Sequence, residues 1–137
     1  LMVTAAFCRA MVNFWSEPET PTTQQDMALY HALPYGLRDQ LGVPVKAEFY
    51  VDVTSVMERK RSMLACHRSQ KEWLDHSQGL DSYLITMENM CREVGRNFSL
   101  SCSGEGWRRH SHLGFGPPDF DPLADTLGRL VHRNLSY

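Results

Sequence analysis

The strongest constraint in the sequence is a long apolar stripe over residues 80–98. Large apolar side chains recur there at spacings of three and four, which puts them on one face of an α-helix: Leu80, Tyr83, Leu84, Met87, Met90, Cys91, Val94 and Phe98. A helix with one apolar face has to bury that face against another element. The rest of the chain must therefore supply an apolar surface. Gly95 lies near the end of this predicted helix and weakens its last turn.

Shorter patterns predict the elements that precede this helix. Residues 2–15 carry the apolar stripe of an amphipathic helix. Residues 28–32 form a short apolar run that ends in turn chemistry, and residues 47–52 are rich in aromatic and β-branched side chains. We expect the first of these segments to be a helix and the other two to be strands.

Two further helices are predicted. The first begins at Thr54 or Ser55, where Ser55 and Glu58 fit a capping box. Its inner face comprises Val56, Met63, Leu64, His67 and Leu74. The second is capped by Asp121, and its inner face comprises Leu123, Leu127, Leu130 and Val131. Residues 99–118 are irregular, and the sequence holds no repeat or linker. The order of elements indicates an α/β or α+β fold in which residues 1–137 form a single segment.

Composition excludes several classes of protein. No stretch of the 137 residues approaches the roughly 18 apolar residues that span a bilayer. The formal net charge of −2 gives no support to a nucleic-acid partner. No secretory signal pattern is found, and no C-x-x-C pair occurs among the four cysteines. We therefore expect a cytoplasmic protein whose thiols are reduced and buried as small apolar groups.

The densest polar cluster in the sequence surrounds His67 and Gln70. On a continuous helix these two residues are three apart and share a face. That face continues the apolar line of Val56 and Met63, so it is expected to point inward or into a cleft. The pair either binds substrate or orients a catalytic group, or else it is a buried pair that satisfies backbone groups.

Three other residues are candidates for a binding site. Asp52 ends a predicted strand just before a helix, where it either forms a cap or lies at the mouth of a cleft. Glu105 stands between two glycines, and it either orders a loop by accepting backbone N–H groups or faces water. Tyr35 is next to Pro34 in a turn, where it either lines a pocket or is exposed.

A metal site is a separate possibility. His110 and His112 would project to the same side of a strand and, with a distant histidine, could bind a metal. The same segment also reads as a solvated basic patch. The sequence has no phosphate-binding glycine loop and no G-x-S-x-G motif.

Two segments resemble the C-terminal half of the PIG-L/LmbE-like deacetylase family. The first runs from Val51-Asp52-Val53-Thr54 through Lys60 to His67-Arg68-Ser69-Gln70, and it is similar to the family pattern V-D-I-T … K … H-x-S-Q. The second, Gly104-Glu105-Gly106-Trp107, is similar to the family segment A-E-G-F. The resemblance implies a Rossmann-like α/β fold and a zinc-dependent hydrolase that removes an N-acetyl group from a glucosamine-type compound.

The resemblance also implies what this chain lacks. The family motifs A-H-P-D-D and H-x-D-H supply the zinc ligands and the general base, and neither is present in the sequence. We expect the chain to begin just after the second motif, and to be the incomplete C-terminal part of the fold, with two short strands and about four helices. By resemblance, His67 and Gln70 shape the substrate pocket, while Asp52 and Glu105 support it; Tyr35 is a candidate from its turn alone. Zinc is expected in the full-length parent, and neither zinc nor activity is expected in this chain alone.

A non-enzymatic helical module derived from such an enzyme is the alternative function. Its basis is the stripe over residues 80–98, which needs a partner surface where the parent sheet is missing. In either case we expect a small amino-sugar-type ligand for the parent, no nucleic acid, no membrane span, and a possible homo-oligomer.

Overall fold

The computed structural model describes residues 1–11, 21–78, 83–98, 101–135 and 137. Over these residues the fold is mixed α/β, as the sequence predicts, with five α-helices and four β-strands. The helices are α1 Met2–Phe7, α2 Met57–Ala65, α3 Arg68–Gln78, α4 Tyr83–Asn97 and α5 Pro122–Leu127. The strands are β1 Tyr30–Ala32, β2 Phe49–Asp52, β3 Gly104–Arg109 and β4 Val131–Arg133. The described residues thus hold two more strands than expected.

The four strands form one sheet in the order β1-β3-β2-β4. The central strand β2 pairs antiparallel with β3, with Tyr50 opposite Gly106. On its other side β2 pairs antiparallel with β4, with Tyr50 opposite His132. The first three residues of β2 are paired on both sides, and all three are buried.

Several predicted boundaries are wrong. The helix predicted from Ser55 is two helices, α2 and α3, and no side chain caps the start of α2 or the 3-10 turn before it. The capping box of Ser55 and Glu58 therefore does not form. The irregular stretch over residues 99–118 contains β3, and Val131 belongs to β4 rather than to the last helix. Residues 12–15 of the first predicted helix and residues 80–82 of the long one lie outside the described residues.

The chain divides into two compact units. The larger comprises Ala32–Arg108 and Leu127–Tyr137, and the smaller comprises Leu1–His31 and Arg109–Thr126. The core of the larger unit is built on Leu37, Tyr50 and Val94, and the partly buried side chains packed on it are Leu33, Met90, Phe98 and Cys102. The Tyr50 ring stacks on His132 at 4.7 Å and meets Phe98 at 4.1 Å between ring centroids.

Glycines allow α4 to lie against the segment that enters β3. A Cβ atom on Gly95 would overlap the carbonyl oxygen of Cys102. A Cβ atom on Gly104 would lie 2.9 Å from the Tyr50 ring and 3.1 Å from Val94. Both distances are shorter than ordinary van der Waals contact, so only glycine fits at these positions without a shift of its neighbours.

The smaller unit is held by hydrogen bonds between segments distant in sequence. The Arg9 guanidinium donates to the carbonyl oxygens of Gln25 and Phe115, each at 2.9 Å. The Tyr30 hydroxyl donates to Asp121 Oδ1 at 2.7 Å, and the same oxygen accepts the Ala124 N–H at 3.3 Å. Asp121 therefore caps α5, as the sequence predicts, and its burial is offset by these bonds.

The cysteine expectations hold in part. All four cysteines are free thiols, and Cys91 is buried. Cys8 and Cys66 are exposed, so the expectation that they are buried is wrong. Within the described residues, no helix is long and apolar enough to cross a membrane.

Replacement by phenylalanine should have opposite effects at the buried Tyr50 and at the partly buried Tyr30. Within the described residues, Tyr50 Oη has no hydrogen-bond partner, so Tyr50→Phe removes a polar group that was desolvated without compensation. We expect Tyr50→Phe to raise the free energy of unfolding by about 1 kcal/mol. The matched variant Tyr30→Phe loses the bond to Asp121 and should lower it by about 1–3 kcal/mol. Urea denaturation measures both, and a destabilised Tyr50→Phe contradicts this account.

The variant Gly95→Ala separates helix propensity from packing. Helix propensity alone predicts that alanine in place of an interior glycine raises the free energy of unfolding by about 1 kcal/mol. The overlap with the Cys102 carbonyl predicts instead a loss of about 1–3 kcal/mol or more, because backbone has to move. The control Arg96→Ala changes an exposed residue of the same helix and should stay within about 0.5 kcal/mol of the parent. A stabilised Gly95→Ala in urea denaturation excludes the close approach.

Candidate functional site

His67 and Gln70 do not form the inward-facing pair that a continuous helix predicts. His67 lies between α2 and α3, and its N–H donates to the Leu64 carbonyl at 3.1 Å. Gln70 belongs to the first turn of α3, and both side chains are exposed. The expected orientation is wrong because the break between α2 and α3 ends the helical spacing on which it depends. Their role in substrate binding stays a prediction.

Asp52 forms the turn that leads from β2 towards α2. Its Oδ1 accepts the Thr54 N–H at 2.9 Å. The side-chain and backbone hydrogen bonds from Thr54 hold the pKa of Asp52 below its ordinary value of 3.8. The carboxylate therefore orders a backbone turn, but it caps neither the 3-10 turn that follows nor α2, so the helix cap expected for this residue does not form.

Glu105 lies in β3 and pairs with a lysine from α2. Lys60 Nζ is 2.5 Å from Glu105 Oε1 and 3.3 Å from Cys91 Sγ. Both charged side chains are about a third exposed, and the cysteine is buried. Glu105 therefore bonds an ammonium group, which neither expectation for this residue foresaw. This interaction joins three elements, α2, α4 and β3.

The charge of Lys60 is favoured by its partners. Partial burial acts to lower the pKa of Lys60, but the hydrogen bond and charge of Glu105, and then those of Cys91, outweigh burial and hold the pKa above 10.5. Lys60 is therefore protonated at neutral pH.

The ion pair lies in the wall of a groove of about 450 Å³ in the larger unit. Most of the other lining side chains are aliphatic: Leu33, Leu37, Leu64, Leu74, Met87 and Met90. Tyr35, Tyr83 and Trp107 contribute aromatic rings. A concave, mostly apolar surface of this size with a few convergent polar groups is the usual form of a small-molecule site. This groove is the candidate functional site.

A strained turn places one edge of the groove. Leu37 has a φ of 56°, in the left-handed region that side chains other than glycine rarely adopt, and it is nevertheless buried. Its N–H donates to the Pro34 carbonyl at 2.9 Å, and its carbonyl accepts the Val45 N–H at 3.0 Å. In the same turn Tyr35 is 74% exposed and also lines the groove, so both expectations for this residue hold.

Of the five residues proposed from the sequence, the groove brings together Glu105 and Tyr35. The lining does not include Asp52, His67 or Gln70. Sequence reasoning missed Lys60 as the partner of Glu105, although both stand in the segments that carry the family resemblance. The sequence analysis predicts Met87 and Met90 only as members of a buried apolar face. Helical spacing identifies such a face, but it does not show whether another element covers it.

The histidine pair is different from the one expected. β3 ends at Arg109, so His110 and His112 do not alternate on a strand. His110 Nδ1 instead lies 2.8 Å from His31 Nε2, in the smaller unit. Within the described ranges, no three His, Cys, Asp or Glu side chains converge as metal ligands would.

Comparisons with known proteins give no relative for this chain. No family model, no curated protein and no solved structure matches it significantly.

The Lys60–Glu105 pair should give stability that disappears at alkaline pH. A lysine whose pKa is raised on folding stabilises the fold fully below its ordinary pKa, and this contribution is lost as the pH rises through the folded-state pKa. We expect Lys60→Met to lower the free energy of unfolding by about 1–2 kcal/mol at pH 7, since it leaves Glu105 half-buried without its partner. The difference from the parent should narrow above about pH 10.5.

The matched control for this variant is Arg61→Met. Arg61 makes a more exposed pair with Glu88 at 2.9 Å, and a guanidinium does not titrate in this range. In urea denaturation, Arg61→Met should therefore lower the free energy of unfolding by a smaller amount, and by the same amount at pH 7 and at about pH 11.5. If the free energy of unfolding of Lys60→Met stays below that of the parent by the same amount from pH 7 to about pH 11.5, the lost stability comes from packing rather than from charge.

Proposed function

We propose that this chain is the C-terminal part of a PIG-L/LmbE-like hydrolase that removes an N-acetyl group from a glucosamine-type compound. The two segments that carry the resemblance are more than thirty residues apart in sequence, yet they adjoin in the fold. Asp52 stands opposite Gly104 in the ladder between β2 and β3. Glu105 of the second segment bonds Lys60 of the first. This juxtaposition is the observation that supports the proposal.

The Rossmann-like fold is part of the same proposal. In the sheet of the described residues, β2 pairs antiparallel with both β3 and β4. Antiparallel strands at the edge of a mainly parallel sheet are common in large α/β folds. We infer that β1 to β4 form such an edge in the parent, and that the parent is a cytoplasmic protein.

Zinc does not fit the described residues of this chain. Amide hydrolysis in the proposed family needs a metal ion held by three or four donors, and no three candidate donors converge here. The ligands and the general base would have to come from the A-H-P-D-D and H-x-D-H motifs. The residues of this chain then have supporting roles: Asp52 holds the turn before α2, and Glu105 with Lys60 holds β3 against α2.

The test compares this chain with a longer one. The protein expressed from the reading frame that extends upstream of Leu1 should carry both metal motifs, bind one zinc per chain and release acetate from an N-acetylglucosaminide. The 137-residue chain should do neither. Absence of both motifs from the extended frame, or turnover by the short chain alone, contradicts the proposal. In the longer protein, His67→Ala and Gln70→Ala should lower kcat/KM at unchanged zinc content, whereas the exposed control Glu72→Ala should not.

A non-enzymatic interaction module is the second candidate. Large apolar side chains are exposed on three helices of the larger unit: Met63 of α2, Trp73 of α3 and Ile85 of α4. Exposed apolar side chains that form a patch mark a surface for another protein. Hydrolysis by the longer chain supports the enzyme. The module is supported if the longer chain shows no turnover and light-scattering measurements show that it assembles through these helices.

A further inference from the structure

The polar part of the groove is electrically neutral. Lys60 and Glu105 contribute one positive and one negative charge at a separation of 2.5 Å. A ligand carboxylate beside Lys60 would also stand beside Glu105, and a ligand ammonium beside Glu105 would also stand beside Lys60. Either ionic ligand would lose its hydration and gain little attraction in return.

An uncharged amide or hydroxyl suits this pair better. An ammonium group has three N–H donors, and within the described residues Lys60 uses two of them on Glu105 Oε1 and Cys91 Sγ, which leaves one N–H for a ligand. A primary amide accepts from an ammonium through its carbonyl and donates to a carboxylate through its N–H. It can therefore bind both members of the pair without separating them.

The remainder of the groove suits an apolar chain. Its volume of about 450 Å³ is within the usual range for small-molecule sites. Leu64 and Leu74 come from α2 and α3, while Met87 and Met90 come from α4. Unbranched thioether side chains adapt to ligands of different shape. The walls thus favour burial of a flexible aliphatic body next to the pair of Lys60 and Glu105.

We propose that the groove binds an uncharged amphipathic small molecule, an aliphatic chain that ends in an amide or hydroxyl group, with the polar end at Lys60 and Glu105. Binding of this kind needs neither zinc nor the upstream motifs. It therefore stands apart from the proposed hydrolase, and the two can fail separately.

The first experiment compares three ligands that share an eight-carbon chain: octanamide, octanoate and octylammonium. Calorimetric titration of the 137-residue chain at pH 7 should give saturable binding that is at least about fivefold tighter for the amide than for either ion. Affinity should rise by about tenfold from hexanamide to octanamide, because two more methylenes are buried. Equal affinity for the three octyl probes, or no saturation, overturns the proposal.

The location is read from the methionine methyl signals in NMR spectra. Octanamide should shift the Met87 and Met90 signals, which line the groove. Met63, 66% exposed on α2 and outside the groove lining, is the internal control and should not shift. Shifts confined to Met63 overturn the location. Signals of Met87 and Met90 that change on dilution without ligand would show that a second copy of the chain covers the groove, which also contradicts the proposal.

Two reciprocal variants test the role of the pair. Glu105→Gln leaves a net positive groove and should improve octanoate binding by about fivefold, while Lys60→Met leaves a net negative groove and should do the same for octylammonium. Arg61→Met, which changes a charge outside the groove lining, should leave the order of the three ligands unchanged. If circular dichroism shows that both groove variants fail to fold, the relative affinities of the parent chain for the three ligands still decide the proposal. Variants that fold and keep the parent order contradict it.

Discussion

The close approach of α4 to the segment that enters β3 is the constraint on which the larger unit depends. Gly95 leaves room for the Cys102 carbonyl, and Gly104 leaves room for the Tyr50 ring. With those side chains absent, Val94 and Tyr50 pack in one core with no layer between helix and sheet. Met90 of the same helix is partly buried against this core, so the sheet-facing side of α4 continues beyond Val94.

The groove lies beside that core. Met87 and Met90 of α4 both line it, and Met90 is also partly buried against Leu37, Tyr50 and Val94. The ion pair of Lys60 and Glu105 ties α2 to β3 across the same region. Charged groups in such a place cost desolvation, and their mutual contact offsets it. The result is a mostly apolar groove whose wall carries an ion pair of no net charge.

The candidate site was only partly predictable. Glu105 and Tyr35 were identified from local chemistry, a carboxylate between glycines and a tyrosine in a proline turn, and both line the groove. The inward orientation predicted for His67 and Gln70 assumes one continuous helix over residues 55–74. Because α2 ends at Ala65, the helical spacing no longer determines which way these two residues face. The contact between Lys60 and Glu105 could not be predicted from local sequence, since the two residues are 45 positions apart in the chain.

By itself the sequence determined the elements whose signals are local. The apolar spacing of α4, the aromatic and β-branched run of β2, and the carboxylate cap at Asp121 are each read from neighbouring residues, and each is present in the structure. Only the tertiary structure decided that Gly104–Arg109 is a strand, because a segment with two glycines and two arginines has little strand propensity and is ordered by its ladder to β2. It also decided which apolar face is covered and which charges meet, since both depend on contacts between residues far apart in the chain.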